Sequence, residues 1–315
     1  MNGNPGESTF SAFCRLSAEY AVTHEDFIML VPEELAKTPL LDKLPTDKFI
    51  VDDGCAGSRL LKAAGLALAG KKPWVAGSVS ELAGGSYSHI REAAALPQLP
   101  VRIAAVNGGF SSAHEGAAVQ LLEDIAIMRT IPGMNIFIPA DKTSLQGMMA
   151  ESENINGPLY IRLGSTAAPD VEERPDEANI FRGARILRPG SGITICACGI
   201  MVNQALAAAD QLERQNISAE VIDCCGIKPF PEQTLLSSVR KTGCCVTAEE
   251  HGAIGGLFGA AAECLSRTYP VPMRSVAVAD QFVSSGTSEE LREYYGLTWQ
   301  EIVDASAQVW ALRRR

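Results

Sequence analysis

The chain has 315 residues, with 27 Lys plus Arg against 37 Asp plus Glu, a formal charge of -10 at neutral pH. That length predicts two domains and a core that needs neither disulfides nor structural metals. The acidic balance excludes nucleic acid as a partner, because backbone binding needs a basic surface, and no apolar run approaches the roughly 18 residues of a membrane span.

Apolar residues at helical spacing (Phe10, Phe13, Cys14, Leu16 and Ala21) predict a helix over 8–24. Strands are expected at 27–31 and 49–51, with Pro32, Pro39 and Pro45 breaking the connection. An Ala- and Leu-rich helix follows over 56–69, stopped by Gly70. Strand 74–79, helix 87–96, strand 101–106, helix 115–129, strand 135–138, helix 144–152 and strand 159–163 continue the alternation. The runs VRIAAV and NIFI are continuously apolar, as in strands covered on both faces.

Composition shifts over 164–190, which holds three prolines and many charges. A linker at 166–185 is expected there, between units at 1–165 and 186–315. The second unit repeats the pattern, with strands at 192–198, 219–223, 244–248 and 271–278 and helices at 201–215, 231–239 and 254–264. Residues 288–312 read as two helices, the second starting after Thr298. The expected class is α/β: two domains, each a largely parallel or mixed sheet flanked by helices.

The N-terminal MNGNPGESTF has no basic stretch leading into an apolar run, so no secretory signal is read there. Nine scattered cysteines fit reduced thiols in a cytoplasmic protein better than a disulfide framework. Cys196, Cys198, Cys224, Cys225, Cys244 and Cys245 end or line neighbouring strands, but no CxxC spacing occurs. Small core residues are the expected reading, with no metal site.

Four segments carry a family resemblance: LLEDIAIMRTIPGMNIFIPAD (121–141), LYIRLG (159–164), VTAEEHGAIGGLFGAAAE (246–263) and GTSEELREYYGLTWQEIVDAS (286–306). Together they make nearly the whole chain resemble the pyrimidine-binding and C-terminal domains of transketolases. The resemblance implies thiamine diphosphate as cofactor, bound between two domains. This chain resembles only the aminopyrimidine side and shows no GDG-type diphosphate and metal motif. A separate N-terminal, diphosphate-binding transketolase subunit is therefore implied. It would hold most of the Mg2+ contacts, in an α2β2 heterotetramer acting on small sugar-like molecules.

In that family a glutamate, in a motif close to GIAEQ, hydrogen-bonds the cofactor's ring nitrogen. The matching stretch here is Gly54-Cys55-Ala56-Gly57-Ser58, so Gly57 stands where the glutamate is expected. The family's substrate loop, close to GEDGPTHQ, is matched by Ala113-His114-Glu115-Gly116-Ala117-Ala118-Val119-Gln120, with Val119 at the substrate histidine. The segment that brings aromatic residues to the ring is matched by SVSELAGGS (78–86), which has none.

The resemblance thus assigns Cys55, Gly57, Val79, Leu82 and Tyr87 to the cofactor, and Val119 and His251 to the substrate. Glu115 and His114 are the candidate catalytic groups, Glu115 being the one acid in the substrate-loop match. Each has a plainer reading: Glu115 as a helix-start acid, His114 as a surface residue, His251 as a structural hydrogen-bonding group. Cys55 is also a candidate reactive thiol at the mouth of the site. Arg91 and Arg162 are expected as structural ion-pair partners. Two functions stay open: a transketolase-like transferase acting with a partner subunit, and a non-catalytic scaffold or regulatory subunit that keeps the fold.

Overall fold

The computed structural model describes residues 6–167, 169–171 and 183–313. Most of the expected 166–185 linker lies outside those residues. The first unit runs α1 (Thr9–Thr23), β1 (Phe27–Val31), α2 (Glu33–Ala36), β2 (Phe49–Val51), α3 (Ala56–Leu68) and β3 (Lys72–Ser78). A π-helical segment (Ser80–Gly84) leads to α4 (Tyr87–His89), which continues as a second π-helical stretch (Ile90–Ala95). Then come β4 (Arg102–Val106), a 3-10 stretch (Gly109–Glu115), α5 (Asp124–Arg129), β5 (Asn135–Phe137), α6 (Lys142–Glu151) and β6 (Leu159–Arg162). The second unit runs β7 (Arg185–Arg188), β8 (Ile193–Ala197), α7 (Met201–Arg214), β9 (Ala219–Asp223), β10 (Gly226–Lys228), α8 (Glu232–Thr242), β11 (Cys245–Gly252), α9 (Leu257–Thr268), β12 (Met273–Val278), α10 (Ser288–Tyr294) and α11 (Trp299–Ala311).

These strands form two sheets, ordered β10-β5-β6-β4-β3-β1-β2 and β12-β11-β8-β9-β7. Among the described residues every pairing is parallel except β10 on β5 and β7 on β9. The expected class of two α/β domains with mostly parallel sheets is therefore what the chain adopts. The fully buried strands RIAAV (β4) and ITICA (β8) explain the continuous apolar runs, since helices cover both faces of each sheet. Helix starts follow local chemistry: Ser8 caps α1, Asp141 and Ser144 form a reciprocal capping pair on α6, and Thr287 and Glu290 do the same on α10.

Three expectations change. The stretch 164–190 contains β7, so the second unit's strands begin before residue 192. Arg185 on β7 is tied by ion pairs to Asp223 (2.7 Å) and Asp141 (3.4 Å), a tertiary anchor with no periodic signature. The strand β10 leaves its own unit and pairs antiparallel with β5, Gly226 opposite Phe137 and Lys228 opposite Ile136. The expected helix over 115–129 is helical only from Asp124. Gly116 turns left-handed (φ 81°), and the Gln120 side chain donates to the carbonyls of Ala113 (3.2 Å) and Ser284 (3.1 Å). Those long-range bonds hold the loop open against the helical preference of Ala117 and Ala118.

One buried apolar cluster spans both units, from Leu60 and Val79 through Ile103 and Ile136 to Cys196, Cys224 and Leu257. The units therefore share a core rather than meeting through solvent. Among the described residues no helix is long and apolar enough to cross a membrane.

Candidate active site

The candidate residues lie where parallel strands end and helices begin, the usual place for ligands in open α/β sheets. After β2 the chain turns through Asp52-Asp53-Gly54 into α3. Asp52 accepts from the Gly54 N–H (2.9 Å) and pairs with Lys62 (2.8 Å). Lys62 first, and then that N–H, hold the Asp52 carboxyl below the usual carboxylate range. Arg59 fixes the turn from inside. It is 1% exposed and donates to the carbonyls of Asp52 (3.2 Å) and Gly54 (2.8 Å). Its other nitrogen reaches Glu81 on the π-helical segment at 3.2 Å. A single guanidinium thus locks the start of α3 to the segment that follows β3.

Cys55 is the N-cap of α3 and is exposed; Gly57 is buried in the first turn. The reason for glycine at 57 is a direct contact. A Cβ there would lie 2.7 Å from Cε1, 2.8 Å from Nδ1 and 2.8 Å from Nε2 of His89. The imidazole, presented by the last residue of α4, lies flush on the bare Cα and fills the space a side chain at 57 would need. Its Nδ1 is buried with no hydrogen-bond partner among the described residues. Val79 and Leu82 are fully buried behind this segment, and the Tyr87 hydroxyl meets Thr130 Oγ1 at 3.2 Å. The π-helical winding on both sides of Gly85 is a departure often found at functional sites.

The second part of the site is the loop after β4. Gly109 is left-handed (φ 64°), and a Cβ there would overlap Glu250 Oε2 at 1.8 Å, so the loop enters against the end of β11 only as glycine. Glu250 is buried, which pushes its carboxyl up; Arg292 and then Arg162 pull it back. Ser288 donates to the Phe110 carbonyl (2.6 Å), and the Gly286 N–H to Ala113 (3.1 Å). The second unit therefore grips this loop on both sides. His114 and Glu115 end its 3-10 stretch and are exposed; Val119 is half-buried. Beside the junction a 380 Å³ cleft opens, lined by Leu122, Glu123, Ile254, Asp280 and Phe282.

Not all candidates converge. Glu115 follows β4 and Gly57 follows β2, strands that lie three positions apart in the sheet, about 14 Å at the usual spacing. The contacts of the Glu115 loop run to the second unit, whereas the group resting on Gly57 is His89. His251 is 0% exposed, with Nδ1 on the Gly252 carbonyl (2.7 Å) and Nε2 receiving the Ala126 N–H (3.4 Å). Both ring nitrogens are engaged in holding the turn after β11. Glu249 caps the start of α9 by accepting from Leu257 (2.6 Å) and Phe258 (2.8 Å). Arg162 pairs with the buried Asp124 at 3.0 Å, a structural contact of the expected kind. Among the described residues no group of three or more His, Cys, Asp or Glu side chains converges to hold a metal ion.

Sequence reasoning missed His89 and Arg59. Nothing in the local pattern pairs position 89 with position 57. An arginine on the apolar side of a predicted helix was the available signal for Arg59.

Comparison with known proteins agrees with this architecture. Residues 61–169 match the transketolase pyrimidine binding domain, and 183–302 the transketolase C-terminal domain. The chain is 38% identical to the 6-deoxy-6-sulfo-D-fructose transketolase subunit of Clostridium sp. (strain MSTE9), over 82% of this chain and 80% of that one. It is 36% identical to an apulose-4-phosphate transketolase subunit of Phocaeicola vulgatus, over 74% and 75% of the two chains. Among solved structures, a split gene transketolase described as an inactive beta4 tetramer superimposes with a TM-score of 0.89 at 34% identity, covering 98% of this chain and 100% of that one. The chain belongs to the transketolase family and matches the split-gene subunits that carry its pyrimidine-binding and C-terminal domains.

Proposed function

We propose that this chain is the aminopyrimidine half of a thiamine-diphosphate-dependent transketolase, transferring a two-carbon ketol unit between sugar-like substrates in the cytoplasm. It acts with a separate N-terminal subunit that binds the diphosphate and Mg2+, as an α2β2 heterotetramer. The observation that carries this reading is the end-to-end coverage of a split-gene transketolase subunit, 98% of one chain and 100% of the other. Like that inactive tetramer, this chain is proposed to be inactive alone. The domain limits are proposed as 1–165 and 186–315, joined by 166–185, with the second unit's start moved back to include Arg185 of β7.

The cofactor's heterocycle is proposed to meet the exposed Cys55 edge of the α3 turn, on the side away from His89. The room at Gly57 is taken by an imidazole whose buried Nδ1 lacks a partner among the described residues. When bound, thiamine diphosphate supplies the nucleophilic carbon that receives the ketol unit. Arg59 keeps the Cys55–Gly57 turn in register with the Glu81 segment. Cys55, Gly57 and Tyr87 are proposed to border the cofactor ring, with the buried Val79 and Leu82 behind them. His114, Glu115 and Val119 lie on the loop proposed to meet the sugar, and His251 acts through the turn it pins. Glu115 is proposed as a substrate-loop acid.

A second reading has one specific support: the three atoms nearest to where a side chain at Gly57 would stand all belong to His89, with no carboxyl among them. A scaffold subunit would keep the shared core and lose turnover. Purification with the diphosphate-binding partner separates the two. The enzyme reading expects ketol transfer by the complex and none by either chain alone. A stable, cofactor-loaded complex without transfer from any ketose donor supports the scaffold.

A further inference from the structure

We propose that Arg162 is the positioning residue of the loop between β4 and α5: its one buried side chain fixes both ends of the loop that carries His114, Glu115 and Val119, and Glu250 closes the grip from the second unit. The inference rests on the proposed function, which assigns that loop to the sugar, and it names what holds the loop in shape.

The loop runs from the end of β4 at Val106 to the start of α5 at Asp124, with one 3-10 stretch inside it. Connections of this length are uncommon unless they are functional, and ordering one costs conformational entropy. Arg162, on the neighbouring strand β6, meets both ends. At the start, its side chain lies on the bare Cα of Gly108, where a Cβ would stand 2.7 Å from its Cγ and 2.9 Å from its Nε. At the far end, its Nε pairs with Asp124 at 3.0 Å, and the Tyr160 hydroxyl donates to the same carboxylate oxygen at 2.8 Å. The second unit supplies the other jaw. A Cβ on the left-handed Gly109 would overlap Glu250 Oε2, and Glu250 is itself held by Arg292 of α10 at 3.4 Å. Two consecutive glycines thus let an arginine and a glutamate press on the chain from different units.

Stability alone does not account for the pair. Arg162 is 6% exposed and Asp124 0%, and a buried ion pair is often no more stable than apolar side chains of the same volume. Nη2 of Arg162 and Oδ1 of Asp124 are both buried with no hydrogen-bond partner among the described residues, which costs stability further. What the pair does provide is geometry. A rigid, planar guanidinium holds Asp124 at a set distance from Gly108, whereas an apolar pair would leave the two ends of the loop free to slide.

The test uses the complex of this chain with its diphosphate-binding subunit. Removing one partner alone would strand a buried charge and risk unfolding. Both charges are therefore removed together, in Arg162→Met with Asp124→Asn, where the asparagine still accepts from Tyr160. The urea midpoint should stay near that of the parent. Hydrogen exchange of the amides over 110–121 should quicken about tenfold or more, with β4 and β6 unchanged. KM for the sugar should rise about tenfold while cofactor affinity stays at the parent value. Glu250→Gln keeps its shape beside Gly109 and loses its charge. It should move loop exchange and KM in the same direction, and it decides the matter if the double variant does not fold. A lowered midpoint with loop exchange and KM at their parent values marks a purely structural pair and overturns the inference, leaving the proposed function standing. A parent complex that binds cofactor and transfers nothing removes the reading of the loop as sugar-binding, and the inference with it.

Discussion

Adding one methyl group at Gly57 tests the packing on which the site description depends. In Gly57→Ala the new Cβ would meet three ring atoms of His89 at 2.7, 2.8 and 2.8 Å, where ordinary contact is about 3.5–4.0 Å. The ring must give by roughly 1 Å or rotate away. Overpacking of this kind costs about 1–3 kcal/mol. Alanine gives back up to about 1 kcal/mol by its better helix propensity. The net expectation is a destabilisation of about 0–2 kcal/mol. In a His89→Ala background the obstacle is gone, and the same substitution should stabilise by about 0.5–1 kcal/mol. The coupling between the two positions is then about 1–3 kcal/mol. Urea unfolding midpoints of the four proteins, compared at constant slope, measure it. If Gly57→Ala changes stability equally in both backgrounds, to within about 0.5 kcal/mol, the imidazole does not rest on Gly57 and the reasoning fails.

Gly57→Glu should lower the urea midpoint, because its side chain meets the His89 ring, and adding His89→Ala should recover most of that loss; an unchanged midpoint in Gly57→Glu contradicts the packing. Glu115→Ala should alter KM for the sugar and leave cofactor affinity unchanged, and a loss confined to cofactor binding would move Glu115 to the ring. Because Lys62 and Gly54 hold the Asp52 carboxyl low, its stabilisation is present above the ordinary carboxylate pKa and lost as pH falls through the folded value. Urea midpoints of parent and Asp52→Asn should therefore differ at neutral pH and converge in acid; a gap that widens in acid has the wrong sign. Limited proteolysis should cut first within 166–185, and early cuts inside 100–160 would displace the proposed boundary.

The fold was largely legible because its strands are buried on both faces and its helices are amphipathic, so both periods appear in the residues themselves. The start of α11 after Thr298 was readable for a similar reason, as a hydroxyl cap before an apolar-periodic run. What stayed hidden was set by distant contacts. The strand β10 is three residues long and exists because the edge of β5 offers it hydrogen bonds. The loop at 116–123 is held open by Gln120 reaching a carbonyl 164 residues away. The site divided along the same line. Gly57 and Cys55 could be placed from their neighbours in sequence, because the helix they start is local. The imidazole facing Gly57 comes from another helix, and no spacing rule connects 57 with 89. Glu115 stood out as the one acid in its motif, and the bonds that tie its loop to the second unit come from residues far along the chain.

If this chain supplies half of a cofactor site and a second subunit supplies the rest, neither half should hold the cofactor well by itself. Calorimetric titration of thiamine diphosphate with magnesium, into this chain alone and into its purified complex with the diphosphate-binding subunit, examines that directly. The predicted result is saturable binding by the complex, at one cofactor per copy of this chain, and no measurable binding by the chain alone. Binding of equal strength by the isolated chain, or none by the complex at millimolar cofactor, would contradict it.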